Sequence, residues 1–514
     1  MKKKSILDFF KIDSKYEIAI TSFVLAFFVC FVSYSAFIVY GFNSPDGLLE
    51  GFHFYINRHW AIAGCGRWFL ALIDMAHANL VFPFLTVVEC FIINWLSSFT
   101  LGKILKINNK FCICLLCIVF SVLPPFVEIL LYTNSACSYS LSVLLSILFV
   151  YFNLKEENIY IIISALCLGC AMGSYQSQVG IAIGLTVISI ILQLIENKEN
   201  IFLFLLKSLI SGIGAIIIYI VGLNICLSYF NLELSSRAAS FSLAEIFKQL
   251  PAKFINSYVD FFNLFNQATL KRHIIFALMF IVLIVELINI SVIYIKEKKY
   301  SKMLTIIVLS LLLPVSFNII EIILPNFEMA LLMTTPNYLI LFFVITLLNY
   351  MPLRPKQIIT LFISVIILSL SWTYVLSANA TYDSYRLSYN SYKEQFSQAL
   401  NRVFELDGYE LNQTNIVVIG YPSDKELREN VNIYNYVNNL HSNLLYWQAE
   451  NLDVNSTYQY LLNEFGVNSG EVGYEEYKAL LLLDDIKEMP IWPKSGSVKL
   501  VNNYAVIKFG EPNE

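Results

Sequence analysis

The sequence predicts a multi-pass α-helical membrane protein, and three observations support this fold class. First, 57% of the 514 residues are hydrophobic and only 14% are charged, whereas a soluble protein carries about 25% charged residues. Second, apolar runs of about 20 residues, the length that crosses a bilayer, recur along the chain. Third, lysine and arginine residues alternate between the segments that join these runs, as the positive-inside rule predicts.

The apolar runs predict about 11 membrane spans. They lie at about residues 17–40, 80–102, 111–131, 137–153, 158–173, 177–195, 201–228, 273–295, 303–324, 329–350 and 357–377. The basic segment from Met1 to Lys15 predicts a cytoplasmic N-terminus, and the first run is long enough to remain as an anchor. The short segments predicted inside carry Lys103, Lys106, Lys110, Lys155, Lys198, Lys296, Lys298, Lys299, Lys302, Arg354 and Lys356. The short turns predicted outside, at 133–136, 174–176 and 325–328, carry no lysine or arginine.

Three longer segments are predicted outside the membrane: loop 41–79, loop 229–272 and the tail. We therefore divide the chain into a transmembrane catalytic domain, 1–377, and an extracytoplasmic domain, 378–514. The alternating charged and aromatic residues of Ala244–Phe265 are typical of a helix lying in the membrane interface.

The tail predicts a small α/β domain. Its segments 415–420, 479–483 and 504–509 are predicted as strands, and Tyr385–Leu406 as an amphipathic helix. The sequence shows no internal repeat of the kind found in many transporters.

The first outer loop concentrates ionisable residues in an otherwise apolar chain. Asp46 and Glu50 are four residues apart, so on a helix they share one face. A carboxylate at the boundary of water and membrane is partly desolvated, which raises its pKa toward that of a working general base. Arg67 lies in the sequence Gly64-Cys65-Gly66-Arg67-Trp68 and is suited to holding a phosphate. The alternative is a solvated loop in which Arg67 and Trp68 are an interfacial anchor.

Further polar residues lie at the level of the outer face. Glu128, Tyr175, Gln176 and Glu321 are placed near the outer ends of predicted spans. Acids within spans suggest function by default, although these would also reach headgroup water. Glu89 and Glu286 lie deeper, where helix packing is the alternative to a proton path. The chain contains no HxH or HExxH spacing, so no histidine metal site is predicted and a divalent metal has no support.

Several motifs, in chain order, resemble those of the type II glucosyltransferases that modify bacterial O-antigen. Asp46 is followed about twenty residues later by Gly66-Arg67-Trp68. Gly173-Ser174-Tyr175-Gln176 is similar to a Gly-x-Tyr-Gln element of that family, and the tail segment Met489–Val498 (MPIWPKSGSV) resembles its Met-Pro-x-aromatic-Pro segment. Two features differ: a single acid stands at Asp46 where the family often has two adjacent acids, and Met333–Pro336 lacks the arginine often found there.

This resemblance implies a GT-C type enzyme of the bacterial cytoplasmic membrane. It would move a sugar, typically glucose, from a polyprenyl-phosphate donor to a surface glycan on the outer face, with inversion. The acceptor would be O-antigen or a wall polysaccharide, and a donor synthase and a flippase would act in the same pathway. The chain has no P-loop or Rossmann fingerprint for a nucleotide sugar, no nucleic-acid partner is predicted, and no cofactor is implied.

The chemistry of the individual residues predicts a role for each of them in this reaction. Asp46 is the predicted general base, with Glu50 as the second choice or as a group that orients the acceptor. Arg67 would neutralise the departing phosphate, helped by Arg237 or Lys253 from the second outer loop. The residues predicted to bind the sugar or the acceptor are Trp68, Glu128, Tyr175, Gln176 and Glu321. Two alternatives remain: a flippase or transporter that uses Glu89 and Glu286, and a glycan polymerase or ligase.

Overall fold

The computed structural model describes residues 15–41, 59–76, 82–107, 109–198, 200–235, 243–266, 270–323, 329–350, 353–423, 430–431, 433, 460–462, 464–470 and 472–512. Helices dominate the part before the tail. They are α1 Lys15–Ser33, α2 Ser35–Tyr40, α3 Trp68–Ala76, α4 Pro83–Ile104, α5 Lys110–Ser121, α6 Pro124–Leu131, α7 Ala136–Asn153, α8 Ile159–Ser174, α9 Val179–Ile195, α10 Ile201–Phe230, α11 Leu243–Asn266, α12 Leu270–Lys296, α13 Tyr300–Leu311, α14 Leu313–Phe317, α15 Ile319–Ile323, α16 Leu339–Leu347 and α17 Leu353–Phe404.

The described helices include six that are long and apolar enough to cross a membrane. A seventh span results if α5 and α6, which meet at a bend of 42°, are counted as one. Four further apolar helices are shorter than 18 residues: Glu17–Ser33, Ile159–Ser174, Tyr300–Leu311 and Thr335–Leu347. The chain is therefore a helical membrane protein, as the sequence predicts.

Local sequence explains where several of these helices begin. Pro83 and Pro124 occupy the first turns of α4 and α6, where the missing N–H of proline is harmless and its fixed φ favours the helix. The Asn109 side chain caps α5 by accepting hydrogen bonds from the backbone N–H groups of Phe111 and Cys112, at 2.9 and 3.4 Å, an arrangement that stabilises a helix N-terminus. The proline-led start of α6 directly after α5 accounts for the bend between them.

Helix α17 continues far beyond the last predicted span. It covers 52 residues without interruption, so the predicted span 357–377 and the predicted helix Tyr385–Leu406 are parts of one element. The intervening residues contain neither glycine nor proline, which would interrupt a helix. Tyr382 and Tyr385 are almost fully buried there, so packing further stabilises the continuous helix.

The tail contains a three-stranded sheet with the order β1–β3–β2, formed by β1 Asn415–Ile419, β2 Val498–Val501 and β3 Tyr504–Lys508. Strand β1 is parallel to β3, and β2 is antiparallel to it. Asn502 and Asn503 both have positive φ, as a tight two-residue hairpin turn requires. The predicted strands at 415–420 and 504–509 are confirmed.

The predicted strand at 479–483 is wrong. Most of this segment belongs to helix α18, Tyr474–Leu481, which precedes the short helix α19, Asp484–Lys487. A five-residue apolar run cannot be assigned from periodicity alone. Glu475 and Glu476 in the first turn favour the helix through its dipole, and Leu482 is 72% exposed, which a buried strand would not allow.

Candidate active site

The loop that carries Arg67 is held in place by a glycine and a glutamine. Gly66 has a φ of +68°, and a Cβ at this position would lie 2.5 Å from Tyr219 Oη, so only glycine fits without strain. Gln176 Nε2 donates hydrogen bonds to the carbonyl oxygen of Cys65 at 2.7 Å and to Tyr219 Oη at 3.3 Å. The turn after α8 therefore sets the position of the backbone at Cys65, two residues before Arg67.

The Arg67 guanidinium is surrounded by tyrosines. Its Nη1 donates a hydrogen bond to Tyr139 Oη at 3.0 Å, and its Cζ lies 4.7 Å from the ring centroid of Tyr175 and 5.7 Å from that of Tyr139. Burial disfavours the charge, but the electrostatic influence of Tyr139 and Tyr175 outweighs it, so the pKa of Arg67 is raised above its ordinary value. Arg67 is therefore a permanent cation in a largely aromatic environment.

The charge of Arg67 is not neutralised within the described part of the chain. No carboxylate there forms an ion pair with it, and its buried Nε has no hydrogen-bond partner. An arginine with an unused N–H in a shielded position is suited to binding a phosphate or carboxylate, since charge-assisted hydrogen bonds are strong. We call the group formed by Arg67, Tyr139, Tyr175 and Gln176 the arginine centre.

Trp68 fills a slot between two helices. A Cβ on Gly173 of α8 would lie 2.7 Å from Trp68 Cε2, and one on Gly222 of α10 would lie 2.5 Å from the same atom. The Trp68 side chain is 8% exposed, and its Nε1 has no hydrogen-bond partner among the described residues. The close approach of two glycines fixes α3 against α8 and α10, which gives Trp68 a packing role; binding of sugar by Trp68 stays a prediction.

Glu128 is bound to backbone. The carboxylate, 2% exposed, accepts a 2.7 Å hydrogen bond from the backbone N–H of Leu332, and Gln178 Nε2 donates to the Leu332 carbonyl oxygen at 3.3 Å. Both polar groups of one residue in the short turn Leu331–Met333 are thereby satisfied. Glu128 thus holds this turn in place, and its predicted contact with the acceptor stays a prediction.

Lys253 and Glu321 meet in a second polar group, which also contains residues that the sequence analysis did not single out. The Glu321 carboxyl lies within interaction distance of the side chains of Asp260, Asn256 and Lys253. Lys253 and Glu321 are 9% and 3% exposed. Only the seven-residue spacing of Lys253 and Asp260, which places both on one helix face, could have pointed to Asp260. We call Lys253, Asp260 and Glu321 the carboxyl pair group.

Three predicted residues lie outside the described residues: Asp46, Glu50 and Arg237. The deep acids are separate from both polar groups. Glu286 is 1% exposed, and neither carboxyl oxygen has a hydrogen-bond partner among the described residues. Glu89 is partly buried and acts electrostatically on Cys137. Across the described ranges, no three histidine, cysteine, aspartate or glutamate side chains are grouped as a metal site would need.

The helical membrane fold and Arg67, which has no carboxylate partner among the described residues, indicate a membrane protein with a site suited to an anionic substrate group. The chain belongs to the glucosyl transferase GtrII family, whose profile matches residues 50–346, more than half of the sequence. The match includes every described residue of the arginine centre and of the carboxyl pair group. No curated protein matches the chain, and no solved structure does. The family match confirms the resemblance to type II glucosyltransferases and makes this protein a glucosyltransferase of the membrane.

Proposed function

We propose that the protein transfers glucose from a polyprenyl-phosphate donor to a glycan on the outer face of the bacterial cytoplasmic membrane, with inversion. The observation that carries this proposal is the position of Arg67 beside Tyr139 and Tyr175, without an ion-pair partner among the described residues. Breaking the bond between the sugar and the phosphate develops negative charge on the phosphate. A fixed cation in a low-dielectric site stabilises that charge strongly.

Side-chain contacts at the ends of the predicted spans support an eleven-span topology with the N-terminus in the cytoplasm. Lys106 and Glu196 follow predicted spans two and six, and Tyr350 is the last residue of predicted span ten. Glu196 accepts hydrogen bonds from both of the other side chains. Lys302, before span nine, donates to Asn197 at 2.9 Å. The predicted topology places all these residues at the inner ends of the spans or in inside segments. By the same topology, the arginine centre and the C-terminal domain 378–514 are on the outer side, where no nucleotide sugar is present.

The reaction follows from the assigned roles. Asp46 accepts the proton of the acceptor hydroxyl as that oxygen attacks the anomeric carbon, and the bond to the phosphate oxygen breaks with its electron pair. A single in-line displacement inverts the anomeric centre. Arg67 holds the departing phosphate, and Arg237 adds charge. Tyr175 and Gln176 hydrogen-bond the sugar, Glu50 orients the acceptor, and Glu128 holds the Leu331–Met333 turn.

A glycan polymerase or ligase would share this topology and the lipid-phosphate donor, but the family match to a glucosyl transferase favours transfer of a single glucose. A flippase or transporter that uses the deep acids is less favoured, because the Glu286 carboxyl has no hydrogen-bond partner among the described residues and Glu89 lies on a different helix, α4.

The test is transfer of label from undecaprenyl-phosphate glucose to the surface glycan of the host in isolated membranes. Arg67→Lys keeps the charge but loses the planar fork and its stacking on tyrosine, and we expect transfer to fall by about 100-fold, since bidentate charged contacts contribute about 3 kcal/mol. Arg386→Lys is the matched control, because its partner Asp383 lies one helical turn away at 2.6 Å. Asp46→Asn should abolish transfer. Loss of transfer in the control, or full activity in Arg67→Lys, contradicts the proposal.

A further inference from the structure

The second outer segment is fastened to the middle and the outer half of predicted span nine. Helix α11 contributes the Ser257 carbonyl oxygen, which accepts a 2.9 Å hydrogen bond from Asn318, and Tyr258 Oη, which donates to the Leu311 carbonyl oxygen at 2.6 Å. Phe261 packs against Phe317 with ring centroids 6.1 Å apart. These contacts bring Asp260 of α11 and Glu321 of α15 together in a fixed geometry.

The Asp260 and Glu321 carboxyls lie close enough to act on each other electrostatically. Two ionised carboxylates at such a separation repel each other, so a buried pair favours one shared proton and one negative charge. Burial raises the pKa of Asp260, partly offset by Glu321 and Lys253. With the positive charge of Lys253, the carboxyl pair group is close to neutral overall. The group therefore differs from the arginine centre, whose cation has no carboxylate partner in the described part of the chain.

The carboxyl pair group also has unused hydrogen-bond acceptors. Glu321 Oε2 is buried and has no hydrogen-bond partner among the described residues. The same is true of Asn337 Oδ1, although the Asn337 amide nitrogen donates to Asn318 at 3.0 Å within the same run of hydrogen bonds. Asn337 is fully buried, whereas Asp260 is partly exposed. Asp260 is thus the member of the pair that a ligand reaches from water, and Glu321 supports it from behind.

We propose that Asp260, supported by Glu321 and Lys253, is the subsite for the acceptor sugar, where it accepts hydrogen bonds from hydroxyls of a neutral hexose unit. A nearly neutral group with excess acceptor oxygens matches hydroxyl donors and does not match a phosphate, which the arginine centre binds. In this assignment Lys253 compensates the charge of the pair and does not contact the donor phosphate. The inference rests on the proposed glucosyl transfer and adds the site that recognises the receiving glycan.

The experiment measures KM for the glycan, KM for undecaprenyl-phosphate glucose and kcat in membranes that contain the full-length protein. Asp260→Asn keeps the shape but weakens acceptance from sugar hydroxyls, and we expect KM for the glycan to rise about tenfold with KM for the donor unchanged, since a charged hydrogen bond contributes about 1.5 kcal/mol. Glu233→Gln, a change of an exposed acid in the same outer segment, is the matched control and should leave all three parameters unchanged.

A second set of variants separates the subsite from a purely structural role. If the pair acts as a unit, Asp260→Asn with Glu321→Gln raises KM for the glycan no more than Asp260→Asn alone, and Lys253→Met affects KM for the glycan and not for the donor. An unchanged KM for the glycan with a lowered Tm overturns the subsite and leaves only a contact that holds α11. A raised KM for the donor also overturns it. A parent protein that transfers no label overturns the proposed function and the subsite together.

Discussion

Gln176 donates a 2.7 Å hydrogen bond to the carbonyl oxygen of Cys65, and this bond joins two segments that lie 111 residues apart. It connects the turn after α8 with the loop that ends in Arg67. The guanidinium in turn stacks on Tyr175, the residue directly before Gln176. The turn after α8 therefore fixes the position of the Arg67 guanidinium in two ways: through the ring of Tyr175 and through the side-chain amide of Gln176.

We predict that Gln176→Leu reduces glucosyl transfer by about tenfold, because loss of a buried hydrogen bond of about 1.5 kcal/mol loosens the loop before Arg67. Initial rates at saturating donor are the measurement. Gln395→Leu, which removes an exposed amide of α17 that donates to Ser423 at 3.2 Å, is the control and should leave the rate unchanged. Equal rates for Gln176→Leu and the parent would show that the tether does not position Arg67.

Gly222→Ala should destabilise the protein by about 1–3 kcal/mol, the usual cost of overpacking, because its Cβ would lie 2.5 Å from Trp68. Thermal unfolding in detergent measures the change in Tm. Gly212→Ala is a matched control on the same helix, since nothing lies within 4 Å of a Cβ there. That variant should keep or raise Tm, because alanine favours a helix by up to about 1 kcal/mol. A Gly222→Ala protein as stable as Gly212→Ala would show that Trp68 does not pack tightly against Gly222.

The inner end of the helices should be sensitive to acid. Burial opposes ionisation of Glu196, but hydrogen bonds from Lys106 and Tyr350 outweigh it and hold the pKa of Glu196 below its ordinary value of 4.5. A carboxylate with a lowered pKa stabilises the fold above the unfolded value, and this contribution is lost as pH falls through the folded pKa. Glu196→Gln should therefore lower Tm at neutral pH and lose less Tm than the parent on acidification below about pH 4.5.

The control for this measurement is Glu157→Gln, because Glu157 is exposed at the same predicted side of the membrane. Its Tm should follow the parent at each pH. If Tm falls by the same amount in Glu196→Gln and in the parent on acidification, protonation of Glu196 does not contribute to the loss of stability at low pH.

Glu286→Gln should leave glucosyl transfer within about twofold of the parent. The Glu286 carboxyl is 1% exposed and lies in α12 without a hydrogen-bond partner among the described residues, so an amide of the same shape replaces a neutral acid at little cost. The labelled-glucose assay is the measurement, with Asp46→Asn as the inactive comparison. A proton-coupled carrier would show the opposite pattern, with Glu286→Gln inactive and Asp46→Asn active.

The sequence predicted the class of fold and part of the site. Arg67, Tyr175 and Gln176 were each singled out, and the structure brings them together. Tyr139 and Tyr219 were missed because a tyrosine within an apolar run cannot be distinguished from a packing residue without knowledge of which helix faces meet. Asp260 was missed because Ala244–Phe265 was interpreted only as an interfacial helix, and its contact with Glu321 depends on how α11 folds against α15.

The wrong strand prediction in the tail has a local cause. The run at 479–483 is too short for its periodicity to distinguish a strand from a helix, and the acidic residues at 475 and 476 favour the helix. In contrast, the strands at 415–420 and 504–509 were predicted correctly, because each contains a run of apolar, largely β-branched residues that is followed by a turn.

The uninterrupted helix α17 connects the predicted membrane span 357–377 directly to the tail. At 1.5 Å per residue, its 52 residues form a rod about 78 Å long, which is more than twice the thickness of the hydrocarbon core. Phe396 near its far end packs against Phe509 of the tail with ring centroids 4.8 Å apart, and Arg402 donates to the Pro493 carbonyl oxygen at 3.1 Å. A tilt of this helix in the membrane therefore moves the tail with it.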